Sequence, residues 1–284
     1  MKPSPIKPSP IKPNPNPSRS VPSMTVPKLV AQKNEQKIVM LTAYDKTMAS
    51  LLDDQADVLL VGDSLGCVVQ GQATTLGVTL EQMIYHAAMV KQGASKALVV
   101  ADLPFGSYQK DAADAVDASI RMIKESGVSA VKFEGGLGVC ESISRVTAAG
   151  IPVMAHIGLT PQSFHAMGGN KVQGREAEAA EKLMKDALGV EAAGAFAVVL
   201  EGIPAVLAAE ITAALSIPTI GIGAGPKCDG QVLVINDLIG LNESAAPMKF
   251  NKEYCAVRTH IQAAVSQFAM EVRDREFPGP EQSY

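Results

Sequence analysis

The 284-residue chain has no tryptophan and only 4% aromatic residues, which argues against the aromatic-anchored Greek-key sandwich of many binding domains. Its four cysteines, Cys67, Cys140, Cys228 and Cys255, stand far apart, with no C-x-x-C pair or other zinc spacing. They read as reduced thiols in a cytoplasmic protein rather than as metal ligands. Basic excess is also missing. Lys plus Arg number 25 against 29 Asp plus Glu, a net charge of -4, so nucleic acid is not an expected partner. No uncharged apolar run reaches the ~18 residues of a membrane span; the nearest, Ile211 to Pro226, is interrupted by Pro218 and several glycines. No membrane partner is therefore expected. What the chain does have is 47% hydrophobic residues, mostly Ala, Val, Ile, Leu and Met, the side chains that fill parallel sheets and the helices laid on them.

From Met1 to about Lys33 the composition differs. KPSPI occurs twice, KPNPNPS follows, and the segment holds nine of the 18 prolines and no acidic residue. Such a sequence has little to bury and favours extended polyproline conformations, so residues 1–33 are expected to be a disordered tail. Residues 34–284 then have the length of one (βα)8 barrel, about 250 residues. Eight short apolar runs support that fold class: Ile38–Thr42, Val58–Gly62, Ala97–Ala101, Ala130–Glu134, Pro152–His156, Phe196–Glu201, Pro218–Ile222 and Val232–Asn236. Between them lie helical stripes, such as Leu80, Met83, Ile84, Ala87, Ala88 and Ala180, Leu183, Met184, Ala187, Leu188. Strands alternating with helices predict a parallel sheet, and eight units in this length favour a closed α/β TIM barrel over an open sheet.

In such barrels chemistry sits at the C-terminal strand ends, and polar residues fall there repeatedly: Asp63 and Ser64, Asp102, Lys132 with Glu134, His156, and Glu201. Any one of them could be a turn former or a structural hydrogen-bonder. Together they bring four carboxylates to one mouth, where like charges repel unless something cationic intervenes. Hard oxygen donors without thiolates suit Mg²⁺, with Asp63, Asp102 and Glu134 as expected ligands. Strand alternation turns both Lys132 and Glu134 inward and Phe133 outward; a plain internal Lys132–Glu134 ion pair is the alternative. His156 would contact substrate or orient Lys132.

Two connections, Leu65 to Val78 and Ile157 to Gly174, exceed the usual 2–6 residues and are candidate lids, the second hinged at Gly168-Gly169. The GIGAG string at Gly221–Gly225 is not a dinucleotide fingerprint, because a strand rather than a helix is expected after it.

The strings VGDSLG (61–66), ADLPF (101–105), VKFEGG (131–136), HIGLTPQS (156–163), GGNKVQGR (168–175), LEGIP (200–204) and IGIGAGPKCDGQVLV (220–234) together resemble the ketopantoate hydroxymethyltransferases, over about Val39 to Tyr254. The resemblance implies a (βα)8 barrel that binds Mg²⁺ and uses 5,10-methylenetetrahydrofolate to convert 3-methyl-2-oxobutanoate to ketopantoate for pantothenate biosynthesis. It also implies a homodecamer of two pentameric rings. By motif, Asp63 and Asp102 match metal ligands, and Glu134 a carboxylate acting near the metal through water. Asp63, Ser64, Asp102, Lys132 and His156 match substrate-side positions, and Glu201 the general base. Two departures stand out: Gly77 where the family has proline, expected to loosen the first lid, and Asn236 where a histidine is common. Two rival readings stay open, a metal-free aldolase with a Schiff base at Lys132 and a catalytically silent scaffold.

Overall fold

Short β-branched runs that alternate with amphipathic helices leave each strand two faces to bury, and the chain meets this by closing its sheet on itself. The computed structural model describes residues 23–242 and 248–284. Its strands are β1 (Ile38–Thr42), β2 (Val58–Val61), β3 (Leu98–Asp102), β4 (Ala130–Glu134), β5 (Val153–Gly158), β6 (Ala197–Glu201), β7 (Thr219–Ile222) and β8 (Gly230–Leu233). All pair in parallel in sequence order, and β8 returns to β1, completing the barrel.

Alternation along the strands divides the apolar residues into two cores. Ile38, Met40, Val58, Leu60, Leu98, Val100, Met154, Val199 and Val232 fill the barrel interior. Leu59, Val61, Val99, Val131, Phe133, Ala155 and Leu200 face outward and pack with the helices. Towards the strand C-termini the inward row turns polar, at Thr42, Asp102, Lys132, Glu134, His156 and Glu201. The site is thus the last inward layer of the sheet.

Helices α1 (Val26–Val30), α2 (Lys46–Leu52), α3 (Leu65–Val68), α4 (Leu80–Gly93), α5 (Ala112–Ser126) and α6 (Cys140–Ala148) precede the β5 loop. After it come α7 (Phe164–Met167), α8 (Ala177–Ala192), α9 (Ala205–Ala214), α10 (Ile235–Leu238) and α11 (Val257–Arg273). Their ends are written locally. Asp45 caps α2 by accepting the Met48 N–H, Thr79 and Gln82 form a reciprocal capping box on α4, and Gly127 ends α5 in the left-handed conformation. The stripe expected on α4 is buried at Met83, Ile84 and Ala87. On α8 the buried line runs Leu183, Asp186, Ala187 and Val190, and Leu188 points to solvent.

Two expectations need correction. The folded part begins before residue 34: Leu29 on α1 is fully buried, and Lys33 reaches Asp229 at 2.8 Å. The disorder expected of residues 1–22 lies outside the described residues. Strand β8 starts two residues earlier than its apolar run suggested, because its pairing with β1 needs Gly230, where the Ile38 carbonyl leaves no room for a side chain; Ile235 and Asn236 belong to α10. As expected after the GIGAG string, β7 passes to β8 with no intervening helix. Gly77 lies exposed in a 3-10 turn beside the Gln72 side chain and before buried Val78.

The barrel's flank is uneven as a result. Outward residues of β1 and β8, Val39, Leu41 and Leu233, line an open groove with Leu238 and Tyr254. Among the described residues α11 buries none of its own, and Ile261, Val265, Phe268 and Val272 stand exposed on it.

Candidate active site

All seven residues singled out at the strand ends, Asp63, Ser64, Asp102, Lys132, Glu134, His156 and Glu201, line one cavity of about 500 Å³ at the C-terminal mouth, the size of a small-ligand site. Register decides who meets whom. Asp102 lies opposite Lys132, and Glu134 opposite His156. Lys132 Nζ accordingly sits 2.9 Å from Asp102 Oδ1 and 3.1 Å from His156 Nδ1, so its ion-pair partner is Asp102 and not Glu134. His156 spans the site. Its Nδ1 is 3.5 Å from Glu134 Oε1 and its Nε2 3.2 Å from Glu201 Oε2, a close contact that lacks hydrogen-bond alignment. Gly158 at the end of β5 has a φ of +96°, and a Cβ there would collide with the Glu201 carbonyl. Glycine lets the two strand ends run this close.

Side chains that strand-end reasoning did not single out complete the mouth. Tyr44 shares a 2.9 Å hydrogen bond with Ser64 Oγ. Tyr108, stacked on Phe133 with ring centroids 4.9 Å apart, accepts the Glu134 backbone N–H at 2.9 Å. Gln162 donates through Nε2 to Asp63 Oδ2 and through its backbone N–H to Glu134 Oε2, both at 2.9 Å. Gln162 belongs to the quoted HIGLTPQS string, but nothing in its spacing tells that it reaches back across to β2.

Electrostatics sort these groups. Burial, with Glu134 and Asp102 as near neighbours, raises the Asp63 carboxyl well above the usual range, more than Lys132 and Gln162 pull it down. Burial likewise raises Asp102, with Lys132 only partly offsetting it. Burial works against charge on Glu134 too, yet His156, Lys132 and the Gln162 N–H outweigh it and hold that carboxyl low. Burial would lower Lys132, but Asp102, Glu134 and Asp63 outweigh it and keep the ammonium charged. His156 is pushed up to about 9, since its glutamate contacts outweigh burial and the repulsion of Lys132.

The residues were then tested for a cation. Among the described residues no group of three or more His, Cys, Asp or Glu side chains is arranged as a metal-holding set. The expected trio does not form one because Glu134 is held by Gln162 and faces His156. Asp63 and Asp102 remain as two buried carboxylates with raised pKa values, and Asp102 Oδ1 is a buried oxygen without an aligned hydrogen bond. Two hard carboxylates with room for other oxygens are what Mg²⁺ commonly takes, so this donor set fits it.

Comparison with known proteins agrees with the motifs. Solved structures of similar shape include a phosphoenolpyruvate phosphomutase from Streptomyces platensis subsp. rosaceus, with a TM-score of 0.60, 15% identity and 88% of each chain covered. A 2,3-dimethylmalate lyase matches with a TM-score of 0.56 at 16% identity, covering 91% of this chain and 90% of that one. At such identity they speak for the fold alone. The 3-methyl-2-oxobutanoate hydroxymethyltransferase of Geotalea daltonii is 57% identical over 244 residues, 86% of this chain and 91% of that protein. The Heliobacterium modesticaldum protein of the same name is 52% identical over 254 residues, 89% and 92% of the two. The sequence profile of the family Ketopantoate hydroxymethyltransferase matches residues 23–280, and the chain belongs to that family.

Proposed function

We propose that this protein transfers a hydroxymethyl group from 5,10-methylenetetrahydrofolate to 3-methyl-2-oxobutanoate, forming 2-dehydropantoate on the route to pantothenate and coenzyme A. The observation that carries this reading is the single cavity in which Asp63, Ser64, Asp102, Lys132, Glu134, His156 and Glu201 converge. It is joined to the name shared by relatives above 50% identity.

Asp63 and Asp102 would hold Mg²⁺, with Glu134 acting through water. When bound, the ion supplies Lewis-acid charge where the enolate oxygen of the keto acid develops. Lys132, kept charged by its carboxylates, faces the substrate carboxylate or enolate. Ser64, oriented by Tyr44, donates to or accepts from the substrate. Glu201 takes the C3 proton as general base, with the His156 ring 3.2 Å from its carboxylate. C3 then bonds to the folate methylene, one water provides the hydroxyl oxygen, and tetrahydrofolate leaves. A Schiff base at Lys132 would need a neutral amine, which the surrounding carboxylates oppose.

The reading extends to setting. The bare groove along β1 and β8 and the exposed apolar residues of α11 support an assembly of several copies, a decamer by family resemblance. Among the described residues no helix is long and apolar enough to cross a membrane, in keeping with a cytoplasmic enzyme. The test is 2-dehydropantoate formation by purified protein before and after EDTA treatment and Mg²⁺ return. Activity that is lost and restored supports the transferase and its carboxylate site together. EDTA-indifferent turnover with borohydride labelling of Lys132 would transfer the reaction to the lysine, and no product under either condition would sink the function.

A further inference from the structure

Gln162 is the middle residue of the 3-10 turn Pro161–Ser163 that follows β5 and is 5% exposed. Its carboxamide uses its full bonding capacity of two donors and two acceptor lone pairs. Nε2 donates to Asp63 Oδ2 and to the Leu103 carbonyl, both at 2.9 Å. Oε1 accepts from Tyr108 Oη at 2.6 Å and from Gln109 Nε2 at 2.8 Å. Two donors on one end and two acceptors on the other determine which way the amide points. The same residue's backbone N–H donates to Glu134 Oε2 at 2.9 Å. One residue of the β5 loop thus grips carboxylates at the ends of β2 and β4.

The chemistry of that grip is specific. A neutral amide donor steadies the Asp63 carboxylate without adding positive charge, so it does not compete with an incoming cation as a lysine would. It also commits Oδ2 to the protein, which leaves Oδ1 as the oxygen for ligation. We propose that Gln162 is a positioning residue that orients Asp63 for direct divalent-cation binding, holds Glu134 back where it acts through water, and couples both to the seating of the β5 loop. This rests on the metal reading given above, yet it is tested without turnover.

The probe is Mn²⁺, its dissociation constant read by electron paramagnetic resonance on full-length protein without substrate. Gln162→Met keeps length and loses every side-chain hydrogen bond; it is expected to weaken Mn²⁺ binding by about tenfold or more, the usual effect of removing a residue that orients a ligand. Gln109→Glu alters only an exposed side chain. A carboxylate cannot donate to Gln162 Oε1, so one of the four bonds that seat the amide is lost and Mn²⁺ binding is expected to weaken by severalfold, less than in Gln162→Met, with Gln162 intact. The double variant is expected to bind no more weakly than Gln162→Met alone. Melting curves in EDTA check folding, and if Gln162→Met fails to fold, Gln109→Glu decides the matter. Wild-type affinity in Gln162→Met, an equal loss from Gln109→Glu in both backgrounds, or a wild type that binds no Mn²⁺ would each overturn the proposal. A wild type that binds Mn²⁺ but makes no 2-dehydropantoate sinks the transferase reading alone, and the variants still decide the role of Gln162.

Discussion

At the N-terminal end of the barrel Asp53 accepts the backbone N–H groups of Ser95, Lys96 and Ala97 and the Ser95 hydroxyl at 2.8–3.0 Å. Asp229, at the same end, pairs with Lys33 and accepts from both the amide and hydroxyl of Thr219. At the C-terminal end, Asp63 and Asp102 lie deeper and beside other carboxylates, and burial first and those neighbours second raise their pKa values where that of Asp53 falls. The lower carboxylates are satisfied by the chain itself, so their charge serves the fold. The upper ones are compensated less completely by the chain, which suits the cation and substrate proposed for this mouth.

This contrast can be broken at either end. The largest effect is expected from Asp63→Ala, which should cut kcat/KM by about 10³-fold or more by removing a proposed Mg²⁺ ligand while leaving the melting temperature in EDTA no lower than wild type. A clear loss of melting temperature in steady-state and thermal assays would place Asp63 with the structural carboxylates instead. Glu201→Gln should lower kcat by about 10²-fold or more, with substrate KM nearly unchanged. Loss of C3 proton exchange, followed by NMR in deuterated water, would mark the step affected.

Asp53→Ala should do the reverse, costing about 2–4 kcal/mol in urea denaturation for its stranded donors and sparing kcat. The sign of its pH dependence follows from its depressed pKa: burial opposes the charge, but the Ala97, Ser95 and Lys96 N–H groups outweigh it. Its stabilisation is therefore present above the ordinary carboxylate pKa of about 4 and fades as pH falls through the lower folded value. Asp53→Asn should flatten that acid limb of stability against pH. The smallest effect is expected from Lys33→Met, about 1–3 kcal/mol, since Asp229 keeps both Thr219 bonds. Equal activity per folded molecule would confirm that this pair belongs to the floor.

Much of the upper layer could be read in advance. Alternation in Ala130–Glu134 puts Lys132 and Glu134 on the inner face whatever the rest of the chain does, and the polar residue closing each run identifies the mouth. Other features escaped because they depend on register and on distant segments. Lys132 chooses Asp102 over Glu134 because Asp102 is its partner across the β3–β4 ladder. Tyr44, Tyr108 and Gln162 enter the site from loops, where periodicity carries no signal. The apolar run after Gly230 looks like strand to its end, yet β8 stops at Leu233, and the proline-rich beginning concealed the buried Leu29.

The amino-acid order alone determined the strand–helix alternation, the inward-facing charged layer and the family strings, because side-chain alternation and apolar periodicity are local properties of the backbone. Only the tertiary structure decided that the sheet closes, which carboxylates the chain compensates fully, that Gln162 bridges two strand ends, and that among the described residues one flank is left bare. Those outcomes depend on hydrogen bonds and burial between residues far apart in the chain, which no local pattern encodes.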